Sequence, residues 1–183
     1  MGLQTRPESE YQDGIGIPPY EAKDPQNQQD IRTSNAKKPA FNAFLAFGTR
    51  LKERGCTPDS DTKIRIRMKG HARFYYPHMS VICQPNDLSE TYQDQPVVIV
   101  EVLSDSTRRL DDGEKKDAYL TIPSLTHDIL LEQDSPVAVV YHRADEHFER
   151  HEFTNLADVI DIEGLGLSLP LQNLYDGVLY VSG

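Results

Sequence analysis

The chain has 183 residues, with 19 Lys and Arg against 29 Asp and Glu, a formal net charge of −10 and a pI near 5.0. That length bounds one domain with a sizeable core, and that charge excludes a molecule basic enough overall to attract nucleic acid, so any polyanion must meet a local basic surface. The two cysteines, Cys56 and Cys83, lack metal-ligand spacing and are expected as separate thiols in a reducing cytosol. No segment is long and apolar enough to cross a bilayer, and the opening residues lack both a signal-peptide core and a good myristoylation context at Gly2; a cytoplasmic protein off the membrane is expected.

Residues 1–38 are polar and broken by Pro7, Pro18, Pro19 and Pro25, which predicts a loose or irregular N-terminal arm with at most a short turn at Asp13-Gly14. A single domain is expected over residues 39–183. From Pro39, the apolar residues Phe41, Phe44, Leu45 and Leu51 recur at helical spacing, and Arg54-Gly55 supplies a stop. A turn at Thr57–Ser60 leads to Lys63-Ile64-Arg65-Ile66-Arg67-Met68-Lys69, whose strict alternation predicts a strand with one basic face. A second strand over residues 73–83 is interrupted by Pro77, which requires an edge or an irregularity.

Pro96–Val100 is a run rich in β-branched residues that reads as a strand buried on both faces, and it runs into Glu101. A charged helix from about Asp111 to Thr121 follows, stopping before Pro123, and Asp128–Glu132 returns as another buried strand. Strand, crossover helix and strand in that order favour a parallel pair. Residues 137–143 and 147–153 read as a hairpin closed by Ala144–Glu146, and the chain ends in a strand near Gly164–Leu171 and a short helix or turn. The fold class predicted is α/β, with a mixed central sheet flanked by helices and extra C-terminal antiparallel strands.

Glu101 concentrates the chemistry. An ionised carboxylate in a buried strand is costly unless it is paired or binds a cation. Two readings are open: a structural ion pair with Arg108 or Lys115, or a metal ligand with a lysine on the next helix to offset charge on a phosphate. The basic face of Lys63, Arg65, Arg67 and Lys69 spaces its cations at roughly 6.5–7 Å, comparable with the phosphate repeat of one DNA strand; a solvated edge strand is the plainer reading. His71, His127, His142, His147 and His151 show no metal-ligand pattern and are expected at the surface.

Three blocks resemble the Uma-type restriction-endonuclease family, a branch of the PD-(D/E)xK nuclease superfamily. They are Tyr75-Tyr76-Pro77-His78, then Val100-Glu101-Val102-Leu103-Ser104 with Ser106-Thr107, and Asp111 with Glu114-Lys115 and Tyr119. The resemblance extends over residues 40–180, with the Gly166–Leu171 stretch as its closing segment and a weaker match at Glu10–Gly14. It implies a restriction-endonuclease-like core and a divalent ion, Mg2+ or Mn2+, with Glu101 as metal ligand and Lys115 as the charge-stabilising lysine. It further implies DNA as substrate and a homodimer by analogy. His78 stands where the family carries a metal-binding aspartate. The consequences left open are a weak or dead site, a softer metal held by His78, or Asp105 recruited as the second acid. Hydrolysis of DNA phosphodiester bonds is the activity implied; the alternative is a catalytically degenerate nuclease fold that binds nucleic acid or protein.

Overall fold

The computed structural model describes residues 35–51 and 54–179. Helix α1 (Lys38–Leu51) forms over the predicted stretch, but the face it buries is Ala40, Ala43, Phe47 and Leu51, while Phe41 and Leu45 of the expected apolar spacing are exposed. Strands β1 (Thr57–Asp59), β4 (Met79–Ile82), β5 (Pro96–Leu103), β6 (His127–Glu132), β7 (Ala138–Ala144) and β8 (His147–Phe153) lie side by side in that order in a six-stranded sheet. Within it β5 and β6 are parallel, from Val98 opposite His127 to Leu103 opposite Glu132, and the other pairs are antiparallel. The crossover between them is a π-helical turn (Leu110–Lys115) running into α2 (Lys116–Tyr119), which supplies the length a parallel connection needs.

A separate hairpin of β2 (Ile64–Met68) and β3 (His71–Tyr75) turns at Gly70, whose φ of 84° is readily adopted only by glycine. Strands β9 (Val159–Ile162) and β10 (Leu167–Pro170) pair antiparallel and are followed by α3 (Leu171–Leu174).

The alternation of β5 divides the core. Val98, Val100 and Val102 join α1, α3 and the β9–β10 pair on one face, while Ile99 packs with Ile64, Ile66, Tyr119 and Leu125 on the other. Phe47 is fully buried in the first cluster, and Phe47→Ala would cost about 3–5 kcal/mol in transfer energy and cavity. The result is a mixed α/β fold whose central sheet is mostly antiparallel.

Several expectations are corrected. Cys56 and Cys83 are joined in a disulfide rather than standing as separate thiols. The reason is register: Cys56 precedes β1 and Cys83 follows β4, and Thr57 is opposite Ile82, so the two cysteines face each other across the ladder. The segment around Thr57 is a short strand, not only a turn. Pro77 separates two strands belonging to different sheets, since proline withholds the N–H that a continuous strand would need. His127 is 2% exposed, not a surface residue, and β9 has no counterpart in the expected elements. Asn35, inside the stretch expected to be loose, is buried and donates through Nδ2 to the Leu179 carbonyl at 2.6 Å. The Asp13-Gly14 turn and Glu10 lie outside the described residues.

Candidate active site around Glu101

Glu101 has no solvent exposure, and four protein groups meet its carboxylate. Lys115 Nζ and Tyr119 Oη donate to Oε1 at 3.2 and 3.3 Å. The His78 backbone N–H donates to Oε2 at 3.2 Å, and His78 Nδ1 lies 2.6 Å from the same oxygen. The local sequence accounts for each partner. Pro77 ends the preceding strand, and Met79 pairs with Val100, which delivers His78 beside Glu101. The crossover returns Lys115 and Tyr119, four residues apart and one turn of helix from each other, to that same sheet face.

His78 Nδ1 is also 3.3 Å from the Val102 N–H, and one ring nitrogen cannot both donate and accept through the same position. The 2.6 Å contact is the stronger, so we assign the proton to Nδ1, donating to Glu101 Oε2. That tautomer leaves Nε2 with a lone pair. His78 also lines a cavity of about 220 Å³ with Lys37, Phe41, Phe44 and Asp61, so its ring is reached from outside.

Lys115 is bracketed by a second acid: its Nζ is 2.7 Å from Oδ1 of Asp111, which is 1% exposed. Burial alone would lower the Lys115 pKa, but the charges of Glu101 and Asp111 outweigh it and raise it above the ordinary lysine value. Burial, reinforced by the charge of Glu101, pushes the Tyr119 hydroxyl far above the ordinary phenol value, so it stays a neutral donor.

Asp128 on β6 faces the same side, because its register partner is Ile99. Neither of its oxygens has a hydrogen-bond partner among the described residues. Burial, and then the charge of Glu101, raise its pKa well above the usual carboxylate value against the pull of Lys116.

Glu101, Lys115 and His78 are therefore brought together. Asp105 lies on the exposed turn after β5, and Asp111 is the carboxylate seen to share Lys115 with Glu101. Asp111 belongs to the block that carries the family resemblance, where it reads as orienting or packing the helix, and Asp128 reads as ordinary strand. The signal that singled out Glu101, an acid in an apolar strand, was present at Asp128 as well.

The basic strand is less free than its spacing suggests. Arg65 and Arg67 both donate to Asp94 Oδ2, at 2.5 and 2.7 Å. Burial would raise the Asp94 pKa, but these two guanidiniums hold it below the usual carboxylate value. Arg65 also stacks over the Tyr92 ring at 4.1 Å, and Lys63 sits 4.6 Å from the Phe74 ring centre. One acid between two arginines still leaves the strand net positive.

The donor set suits a hard divalent ion. Glu101 and Asp111 supply anionic oxygen, and two carboxylates with one ammonium leave a negative charge to be balanced; magnesium-type ions complete their shell with water and phosphate oxygens rather than with more protein.

Comparison with known proteins places the family and the fold. Residues 10–172 match the model of the Uma2 family, described as "Putative restriction endonuclease". A curated relative, "Uncharacterized protein slr1290" of Synechocystis sp., is 30% identical over 123 residues; the match covers 67% of this chain and 64% of the relative, just under two thirds of its length. A solved structure from Anabaena variabilis, titled as "a putative nuclease belonging to DUF820", superimposes with a TM-score of 0.64 at 14% identity, over 79% of this chain and 82% of that one, and so shares the fold. The chain belongs to the Uma2 family of restriction-endonuclease-like proteins.

Proposed function

We propose that this protein is a metal-dependent endonuclease that hydrolyses DNA phosphodiester bonds at Glu101. The observation that carries the reading is a wholly buried carboxylate held between Lys115 and His78 with Asp111 alongside, in a chain of this family. Glu101 and Asp111, with His78 Nε2, are the donors that would hold Mg2+ or Mn2+, and such an ion when bound would make a coordinated water more acidic and offset negative charge on the phosphoryl oxygens. Asp111 replaces Asp105 as the second acid. The nitrogen of His78 favours Mn2+ over Mg2+ relative to a site with aspartate there.

The rest belongs to the chain's own residues. Lys115, once a phosphate enters, shares its charge between the two carboxylates and the oxygen that becomes more negative in the transition state. Tyr119 keeps Glu101 in place as a donor that does not ionise. His78 Nδ1–H fixes the ring beside Glu101, so the unprotonated nitrogen is the one left to offer the ion. Lys63, Arg65, Arg67 and Lys69 carry the DNA backbone, with Asp94 fixing the two arginines.

The test is nicking of supercoiled plasmid with Mg2+ and then Mn2+, comparing the parent with Glu101→Ala and Lys115→Ala. Loss of nicking in both variants is expected. Equal nicking in parent and variants sinks the assignment, and salt-dependent DNA binding without nicking by the parent points instead to a fold that only binds.

A further inference from the structure

The opposite face of the sheet carries a second constellation. In the β7–β8 hairpin His142 is directly opposite Glu149, and His151 lies two residues beyond Glu149, so strand alternation puts all three on one face. That face is the one that also carries Val140 and Phe153 toward α1, whereas Glu101 points to the α2 side. One ligand atom from each of His142, Glu149 and His151 lies within 4.8 Å of the others, and among the described residues this is the group of three such side chains so gathered.

We infer that His142, Glu149 and His151 form a second metal site, selective for a borderline divalent ion of the Zn2+ class. Three features argue for this over an ordinary polar strand edge. The first is distance: His151 Nε2 is 3.5 Å from Glu149 Oε2, close to the ligand-to-ligand separation of roughly 3.4 Å that tetrahedral zinc with bonds near 2.0–2.1 Å requires. The remaining donor closes by side-chain torsion, since Glu149 and His151 are half exposed.

The second feature is support behind a ligand. The His142 ring lies against the ring of buried His127, with centres 4.8 Å apart and planes inclined at 33°, so one ligand is already oriented. The third is chemistry. The ion pairs of Glu149 are to imidazoles, with His147 Nε2 3.7 Å from Oε1 as the available fourth donor beside water. Two or three imidazoles and one carboxylate suit zinc, cobalt or nickel far better than magnesium. The ion would clip together β7 and the edge strand β8. This inference does not rest on the nuclease reading, because no residue is shared between the two sites.

The experiment titrates Zn2+ alone into the full chain in competition with a chromophoric chelator, with the Cys56–Cys83 disulfide intact so that thiolates contribute nothing. Parent, Glu101→Gln, His142→Ala and His151→Ala are compared. The parent and Glu101→Gln are expected to share one bound equivalent whose affinity falls at least about tenfold in either histidine variant. Co2+ should give visible bands of a tetrahedral nitrogen- and oxygen-ligated ion in the parent, absent from the histidine variants. Matching metal-free melting curves establish that those variants fold, as expected for one exposed and one partly buried position on a hairpin. Unchanged Zn2+ affinity in both histidine variants, or loss of that equivalent in Glu101→Gln alone, overturns the site; so does a parent that binds no stoichiometric Zn2+.

Discussion

Lys115→Met tests the site through stability as well as activity. The ammonium is 3.2 Å from Glu101 and 2.7 Å from Asp111, and both acids are almost wholly buried. At an effective dielectric near 20, those separations correspond to about 5 and about 6 kcal/mol of attraction. Desolvation of the three charged groups cancels much of that, so the intact cluster contributes little net stability. Truncation behaves differently, because methionine keeps the stem but leaves two buried carboxylates without their cation, which costs about 3–5 kcal/mol. The sign with pH follows from the carboxyls. In the variant, protons supplied at low pH do the neutralising that the ammonium does in the parent, so its deficit shrinks as pH falls toward about 4. In the parent, the raised Lys115 pKa means that its contribution is complete below about 10.5 and is lost as pH climbs through the folded value. Urea unfolding of parent and variant at pH 7.5 and pH 4.5 measures both effects. A deficit under about 1 kcal/mol at pH 7.5, or one that fails to shrink at pH 4.5, would refute the claim that Lys115 neutralises a buried acid pair.

Other perturbations separate the remaining parts of the structure. His78→Asp puts a carboxylate where an imidazole now meets Glu101, so Mg2+ binding measured by calorimetry should tighten at least about tenfold and plasmid nicking with Mg2+ should rise. No change in either would mean that His78 is not at the metal position. Asp128→Asn should stabilise the protein near pH 7 by about 1.4 kcal/mol for each pH unit by which the acid's folded pKa exceeds its unfolded value, a gain that shrinks as pH falls and vanishes below about pH 3, where both states are protonated. Equal melting curves at pH 7 would show that Asp128 ionises freely. Reducing the Cys56–Cys83 disulfide, which spans 27 residues, removes loop closure worth about 3–4 kcal/mol; the unfolding midpoint should drop with dithiothreitol and stay put in a Cys56→Ser/Cys83→Ser variant already lacking the bond. His127, held at about 4 by burial and by its neighbour His142, should make the metal-free fold lose about 3 kcal/mol as pH falls from 6.5 to 4, a slope that His127→Phe removes.

What could be read from the residues and what could not divides along physical lines. The crossover was legible because a β-branched run, a charged helix ending before Pro123 and another apolar run admit few arrangements, and the parallel β5–β6 pair follows. Lys115 meeting Glu101 was legible for the same reason, since a short crossover must return to the strand it left. The disulfide was not. It depends on pairing between β1 and β4, and Thr57-Pro58-Asp59 has the composition of a turn; only its place beside Met79–Ile82 makes it a strand. The damping of Arg65 and Arg67 was hidden because Asp94 lies in a loop that no periodicity connects to β2.

Asp111 and Asp128 show the deeper limit. Asp111 matches the family pattern but reads as a residue that orients or packs its helix, whereas the π-helical turn buries it and the i,i+4 spacing hands it Lys115. Asp128 opens its strand beside His127, so alternation sends the histidine to one face and the acid to the other, beneath Tyr119 and beside Glu101's charge. The cost of burying an acid is visible in a sequence only when its face is known. Once β5 fixes Glu101 toward α2, the β5–β6 register places Asp128 there too, and the site is a cluster of three acids in which burial and the charge of Glu101 push Asp128 upward while Glu101 and Asp111 share a lysine. That unequal treatment of like groups leaves the lysine-held pair as the oxygens a divalent ion would meet.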